Sequence, residues 1–330
     1  MANMADVAKL AGVGISTVSK VINNYDNISE ETRKKVLAAV EELDYVPNAI
    51  ASALSSKNGK RIGLVVFINN ERQAIDQINM QYIFGAFEQG KLHGLDIVTI
   101  FSSLLENKSA KELEAHFKSL RVQSLVVYGI HKEEDEFETF IKNTSLPIVV
   151  VDAPFINETT TSVMIDHQQA QYDITKKMVE DHAYVDNILY LAGRRDGFVT
   201  DLRMQGIVNA TMELGISLNT QYSDFSEKKA FKLTKDFASE NNVIICASDL
   251  MAIGAVSALN DMDIFRPVCG FDGISLLGYI DYEIMTVKQD FYAISKRAID
   301  EAVRLTKGGR GQAVVLDYKI GYINYKDVIM

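Results

Sequence analysis

Residues 6–23 read Asp-Val-Ala-Lys-Leu-Ala-Gly-Val-Gly-Ile-Ser-Thr-Val-Ser-Lys-Val-Ile-Asn. From Met4 to Leu10 the apolar residues fall at helical spacing. From Ile15 to Asn23 they do so again, with Val18, Val21 and Ile22 on one face. Ala11-Gly12-Val13-Gly14 between them is a tight turn, its glycines set where the backbone is left-handed or cramped. Further on, Ser29 is placed to cap a third helix, and Thr32 stands where a capping box would put Glu. Glu30 and Glu31 favour the positive end of that helix, which runs to about Asp44 on a stripe of Val36, Leu37, Val40 and Leu43. Two short helices joined by a tight turn and braced by a longer one is the helix-turn-helix plan. Its second helix turns Ser16, Thr17, Ser19, Lys20 and Asn23 outward, groups sized for base edges and phosphates. The pattern alone also fits the solvated face of an ordinary three-helix bundle.

Beyond this segment, Pro47 stops the chain or restarts it at a first-turn position, and 48–56 reads as a fourth, very short helix. Residues 55–60 are a linker by composition. From Arg61 strand-like apolar runs alternate with amphipathic helices. Strands are expected at 61–68, 95–101, 123–129, 147–152, 162–166, 187–193, 243–248, 267–271 and 284–288. Helices are expected at 77–93, 108–120, 168–182, 200–214, 228–240, 249–262 and 291–307. Alternating strand-helix units with continuously apolar strands predict parallel sheets covered on both faces. A stretch of this length splits into two lobes. The expected division is 1–46 for an all-α head, 47–60 for hinge helix and linker, and 61–330 for a two-lobed α/β core. Within the core, lobes of roughly 61–157 and 158–288 are expected. Residues 289–330 complete both, the boundary falling near 157–161 and a late strand pair around 314–325 returning to the lobes.

The 330 residues are 47% hydrophobic and 24% charged, the balance of a globular chain with material for a sizeable core. Net charge is -10, yet residues 1–60 carry seven Lys/Arg against seven Asp/Glu, so the whole excess falls on 61–330. A uniformly basic nucleic-acid coat is excluded, and a small DNA-reading module is not. Cys246 and Cys269 are too few for a disulfide scaffold. The first residues lack a basic region followed by an apolar stretch, and the longest apolar runs are strand-length. A cytoplasmic protein without a membrane span is expected. Searches for Gly-x-Ser-x-Gly, His-Glu-x-x-His, a phosphate-binding loop and a dinucleotide fingerprint are all negative. The five histidines lack metal spacing and are expected at helix ends or on the surface. No enzyme activity, metal or cofactor is expected.

Four stretches, 6–13, 16–23, 29–45 and 47–54, together resemble the lactose-repressor (LacI) family of bacterial transcription regulators. The match is nearly unbroken through the first 57 residues and extends more weakly along the rest. The resemblance implies a periplasmic-binding-protein-like core behind the helical head. It places Ile15, Ser16 and Lys20 at base-reading positions. Thr17, Ser19, Asn23, Ser29 and Asn48 fall at or beside phosphate-contacting ones. It makes 47–56 a hinge helix ordered on DNA. Leu54 is its minor-groove wedge, and Ala53 and Lys57 are further DNA-facing positions. Such a wedge costs a few kcal/mol of unstacking, and the bend it causes exposes more phosphate. Three residues depart from the pattern: Gly14 replaces a usual Ser, and Ser52 and Ser55 stand where relatives place Arg or Lys.

A two-lobed body puts a ligand cleft at the carboxyl ends of its strands. Polar residues follow the expected strands at Asn69, Asn70, Asp152, Asp166, His167, Arg194, Arg195, Ser248, Asp249 and Asp272. Carboxylates, amides and Arg suit a polyhydroxylated ligand, because carboxylates accept paired hydroxyl protons and Arg donates. Asp249 opens a helix and fits equally as its cap. The resemblance names Arg203, Phe225, Asp249 and Asp272 as effector contacts, Phe225 fitting the core equally well, and Asn69 and Asp152 join them as candidates by their places after strands. Residues 69–79 and Gly273 do not follow the family pattern. The expectation is a homodimeric, DNA-binding transcription regulator acting on a pseudo-palindromic operator. We expect a repressor of a carbohydrate-use operon answering to a sugar between the lobes. The alternatives are a regulator of the catabolite-control type, whose co-effector is a phosphorylated protein, and one with a non-sugar effector.

Overall fold

The computed structural model describes residues 2–22, 28–45, 60–67 and 77–329. The chain divides into two compact units, Met1–Lys60 and Arg61–Met330. The expected hinge helix at 47–56 lies outside the described residues.

The first unit holds α1 (Met4–Ala11), α2 (Ile15–Ile22) and α3 (Glu30–Glu42). Asn3 caps α1. Its side chain accepts from the amides of Ala5 and Asp6, while Asp6 accepts from the Asn3 amide. This reciprocal box satisfies donors that the first helical turn leaves orphaned. Gly12, at φ 65°, ends α1 in the left-handed conformation. Ser29 caps α3, its Oγ accepting the Thr32 amide at 3.3 Å and lying 2.8 Å from the Thr32 hydroxyl. Val7, Ala8, Val18, Val21, Val36 and Ala39 form the buried centre. Leu37, expected on the inner stripe, is 50% exposed instead. It sits about 100° around the helix from Val36, and Ala39 takes the inward place.

The second unit begins with β1 (Arg61–Val66), α4 (Gln77–Leu92), β2 (Asp96–Phe101), α5 (Ala110–Ser119) and β3 (Ser124–Tyr128). α6 (Asp135–Asn143), β4 (Ile148–Val151) and β5 (Thr160–Ile165) complete this run of the first lobe. The second lobe holds α7 (His167–Glu180), β6 (Asn187–Ala192), α8 (Phe198–Leu214), β7 (Ser217–Tyr222) and α9 (Glu227–Phe237). It continues with β8 (Val243–Cys246), α10 (Asp249–Met262), β9 (Val268–Asp272) and β10 (Met285–Lys288). α11 (Phe291–Thr306) returns to pack on α4, and β11 (Ala313–Leu316) joins the first sheet. β12 (Lys319–Tyr322) joins the second sheet and is followed by α12 (Tyr325–Ile329).

Each lobe carries a six-stranded sheet, in the orders β11-β5-β4-β3-β1-β2 and β12-β10-β9-β8-β6-β7. Every pairing is parallel except β10 with β12. The lobe boundary differs from the expected one. β5 pairs with β4 through Val149↔Thr161 and Val150↔Ser162, so the first lobe reaches Ile165 before the chain crosses at Asp166. The polar stretch before β5 reads as a linker but is a loop inside one sheet. The chain crosses between lobes twice more, between β10 and α11 and between β11 and β12.

Three elements escaped the sequence reading, one of them the short α12 at the end of the described chain. β7 is the edge strand Ser-Leu-Asn-Thr-Gln-Tyr, which buries no residue fully and so shows no apolar run. α6 buries Phe137, Phe140 and Ile141 at helical spacing behind an acidic first turn, a signal that was present.

One core cluster runs from the inner face of the first sheet, at Leu64, Val126 and Val149, through the whole second sheet. A second cluster covers the outer face of the first sheet. Register sets the strand ends level. Val66 pairs with Phe101 and Tyr128, and Ala192 with Tyr222, so the residues that follow these strands emerge side by side. α7 and α8 pack tightly enough that a Cβ on Gly206 would lie 2.2 Å from the Gln168 carbonyl oxygen.

Candidate functional site

In the first unit α2 presents Ile15, Ser16 and Lys20 to solvent, with Thr17 and Ser19 half-buried beside them. Ile15 is 52% exposed at the start of the helix, an apolar side chain that the unit's own core does not use. Val18 and Val21 fix the opposite face, so one rotation of the helix sets both faces at once. Ser29 spends its hydroxyl on capping α3. Asn23, Asn48, Ala53, Leu54 and Lys57 lie outside the described residues, as does Asn69 in the core.

In the second unit four of the expected effector residues come together where strands end. Asp152 follows β4, Arg203 stands in α8, Asp249 opens α10 and Asp272 ends β9. Arg203 is buried, its guanidinium 3.7 Å above the Phe271 ring centroid. It donates to the Ala247 carbonyl, lies 3.6 Å from Asp272 Oδ1 and points two nitrogens at His167 Nδ1, each at 3.4 Å. His167 Nε2 lies 2.9 Å from Asp152 Oδ1. Tyr82 donates to the other Asp152 oxygen at 3.1 Å, and Gln289 donates to Asp272 Oδ1 at 3.1 Å. Asp152 adopts φ 60° and Asp272 φ 128°, so both carboxylates sit on backbone that side chains rarely adopt.

Asp249 has 0% exposure and does not cap α10. Ser248 does, by accepting the Met251 amide. Asp249 accepts instead from the amides of Gly273 and Ile274, at 2.7 and 2.8 Å, and from the Thr286 hydroxyl at 2.6 Å. It binds α10, the turn after β9 and β10 into one piece. Gly270 makes this fit possible, since a Cβ there would lie 2.2 Å from Asp249 Oδ1. The Phe225 ring lies against Gly193 and packs on the second lobe's core.

Burial sets the protonation of this cluster. It pushes the Asp272 carboxyl up, Asp249 and Asp152 adding to the shift and Arg203 opposing it. It pushes Asp249 up as well, against its three donors and Arg203. Asp152 ends below its ordinary value, because His167, Arg203 and Tyr82 outweigh burial. His167 is held down by burial despite Asp152. Its ring is therefore mainly neutral near pH 7. His167 was expected at a helix end or on the surface. It does open α7, but it is buried, because the lobe crossing sets that first turn under Arg203 and Phe271.

Beside this buried cluster lies an open cleft between the lobes, about 1460 Å³ in volume. Its first wall is made by residues after β1, β2 and β3, including Phe67, Phe101 and His131. The other wall follows β6 and β7 and includes Arg194, Arg195, Asp196, Tyr222 and Asp224. Arg195 stacks on Tyr222 at 3.7 Å. Across one edge of the cleft the lobes touch. Lys132 reaches Asp201 at 2.5 Å, its amide donates to the Asp196 carbonyl, and Phe155 meets Phe198 edge-on. None of Asp152, Arg203, Asp249 and Asp272 lines the open cleft. Sequence reasoning had marked Arg194 and Arg195 but missed Tyr82, Tyr222 and Gln289, whose places depend on how distant segments are brought together. Among the described residues no cluster of three metal-ligating side chains occurs, and no helix is long and apolar enough to cross a membrane.

Residues 3–48 match the family described as bacterial regulatory proteins, lacI family, and residues 139–310, more than half of the chain, match the periplasmic binding protein domain. The chain belongs to the LacI family of bacterial regulatory proteins. It is 28% identical over 313 residues to the HTH-type transcriptional repressor PurR of Pasteurella multocida (strain Pm70), covering 91% of this chain and 90% of that protein. Among solved structures, the lac repressor dimer bound to operator and the anti-inducer ONPF superposes with a TM-score of 0.81 at 22% identity, covering 98% of this chain and 99% of that one. The CelR–cellobiose complex superposes with a TM-score of 0.71 at 23% identity, covering 97% and 98%. This LacI-family chain is thus a DNA-binding transcription regulator, and the proteins it resembles are regulators and not enzymes. Its first unit is the helix-turn-helix head, and its second is the α/β core with parallel sheets.

Proposed function

We propose that this regulator represses a carbohydrate-use operon from the cytoplasm as a homodimer, and that a sugar bound between the core lobes controls its hold on DNA. The observation that carries the ligand half is the inter-lobe cleft. Both walls come from strand ends and offer carboxylate and aromatic side chains, with Arg194 and Arg195 on the second, the surface a polyhydroxylated ring uses for hydrogen bonding and stacking. The complex of CelR with cellobiose supports a sugar on this fold. Arg203, Asp152 and Asp272 stand behind that surface, where a ligand reaching inward meets them. Asp249 and Phe225 act from behind as positioning residues.

In the head, Ile15, Ser16 and Lys20 reach base edges, and Thr17, Ser19 and Asn23 hold phosphates. Ser29 and Asn48 stand at or beside further phosphate-contacting positions. Ala53, Leu54 and Lys57 enter the minor groove at the operator centre. The two heads then read half-sites one helical turn or a multiple apart, in keeping with the lac repressor dimer solved on its operator.

The test is selection of bound duplexes from a random DNA pool by the full chain, at about 150 mM salt so that non-specific phosphate contacts weaken. It is run with and without a mixture of common sugars. The expected result is a palindrome whose enrichment changes with sugar. Enrichment of no sequence would overturn the DNA half, and a palindrome indifferent to every sugar would overturn the ligand half. Leu54→Ala should weaken binding to the selected palindrome and leave the sugar response in place. Unchanged binding would remove Leu54 from the centre.

A further inference from the structure

We infer that His167 couples the two lobes at their buried centre, a positioning residue whose neutral ring donates to one lobe and accepts from the other. It is the first residue after the chain crosses at Asp166, and its side chain is fully buried. The ring stacks on Phe271 of the second lobe, centroids 5.8 Å apart. Its two nitrogens face opposite ways. Nε2 meets Asp152 of the first lobe at 2.9 Å, and Nδ1 meets two nitrogens of Arg203 of the second lobe at 3.4 Å.

A guanidinium only donates and an ionised carboxylate only accepts. Nδ1 must therefore carry a lone pair and Nε2 the hydrogen. Only this tautomer of the neutral ring satisfies both partners, since an imidazolium would set an N–H against the Arg203 nitrogens. The charged and titratable groups around the ring are Asp152 after β4, Arg203 on α8, Asp166 beside it on the chain, and Asp272 beyond Arg203.

The contact is the middle of a longer chain of side chains. Tyr82 of α4 holds the far oxygen of Asp152, and Gln289, on the second crossing between lobes, holds Asp272. Asp152 and Asp272 are both held on strained backbone. A buried polar chain linked from member to member resists small displacements, and here the Oε1 of Gln289 is left without a partner. A lobe rotation changes the His167–Asp152 distance, and a ligand drawing Arg203 or Asp272 to itself removes the donors from Nδ1. Ligand and lobe angle thus meet at one imidazole. The consequence for DNA binding rests on the ligand-controlled reading given above, whereas the coupling of the lobes does not.

The experiment uses the full chain with spin labels at Leu104→Cys in the first lobe and Met212→Cys in the second, both exposed. Inter-lobe distances are measured without ligand for the labelled parent, His167→Leu and His167→Gln. Gln keeps one acceptor and one donor, and Leu keeps neither. A narrow distribution in the parent, broadened by Leu and restored by Gln, is the expected result. Equal distributions in all three would overturn the coupling. If His167→Leu fails to fold, Asp152→Asn is read with the same labels, and a distribution as narrow as the parent's would overturn it.

Selective 15N-histidine spectra near pH 7 supply an independent reading. The signal that vanishes in His167→Gln should be that of a neutral ring protonated at Nε2, and a doubly protonated ring would overturn the inference. The selected palindrome and sugar mixture then separate the two readings. If the parent answers to no sugar, the ligand reading fails while the distance result stands. If the parent answers and His167→Leu answers equally, the inference fails. The expected loss in the Leu variant is at least about fivefold of the sugar-induced change in operator affinity.

Discussion

The head and the core of this regulator solve opposite problems. In the head, Ile15, Ser16 and Lys20 are exposed, with Thr17 and Ser19 half-buried beside them, on a centre of six buried side chains, Val7, Ala8, Val18, Val21, Val36 and Ala39. In the core, Asp152, His167, Arg203, Asp249 and Asp272 are bonded to one another or to their own backbone. The head turns Ser16 and Lys20 to solvent on a short helix fixed from behind by Val18 and Val21. The core uses these polar groups as internal ties, and none of Asp152, Arg203, Asp249 and Asp272 lines the open cleft. The same residue types therefore carry different energies in the two regions. An exposed Lys20 costs little to move, whereas a buried carboxylate stripped of its partner costs several kcal/mol.

The strongest way to break this contrast is Arg203→Met. It leaves the Ala247 carbonyl without its donor and Asp272 without its ion-pair partner, and the core should lose about 3–5 kcal/mol. Hydrogen exchange read by mass spectrometry, which resolves both regions, should show faster opening of core peptides and none in the head. Gly206→Ala comes next. Its Cβ would press on the Gln168 carbonyl oxygen and cost the core about 1–3 kcal/mol through a shift of α7 against α8. A variant with parental stability would mean that the helices part without cost. Asn3→Ala reverses the direction of the test, removing a cap worth about 1 kcal/mol from the head alone. Faster exchange in core peptides would show that the regions do not unfold separately.

The smallest effect is read by difference against pH. Folding lowers the His167 value below its unfolded one of about 6.5. Its contribution is present in full above about pH 6.5 and is lost as pH falls through the depressed folded value. Asp152 behaves likewise in its own lower window, below an unfolded value of about 3.9. Asp249 and Asp272, raised by burial, have the opposite sign, their contribution being lost as pH rises through their raised values. Both carboxylates are common to the parent and His167→Gln and largely cancel between them. The stability gap between these two proteins should shrink on acidification below about pH 6.5. A gap that widens would reverse the assigned charge state. The head contains no histidine, and its exchange should be steady over the same range.

The sequence by itself determined the elements and their order. Helical spacing, Ser29, Gly12 and the alternation of apolar runs are local signals, and α1 to α3 and most of the core's strands appear where they predict. It marked the outward face of α2, because a short helix has one apolar side and the rest must face water. It also marked Asp249 and Asp272 through their place at strand ends and their likeness to a family, and Arg203 through that likeness alone.

Three matters only the tertiary structure decided. Ile165 and not the polar loop before β5 closes the first lobe, because pairing of β5 with β4 is a contact between segments and leaves no local sign. Asp249 proved to be a brace whose donors are the amides of Gly273 and Ile274 and the hydroxyl of Thr286, residues far along the chain. His167 became the meeting point of both lobes, since its two partners, Asp152 and Arg203, arrive from different sheets. A side chain's surface role follows from its neighbours in sequence, whereas the pairing of a buried polar group depends on which distant segments the fold brings against it.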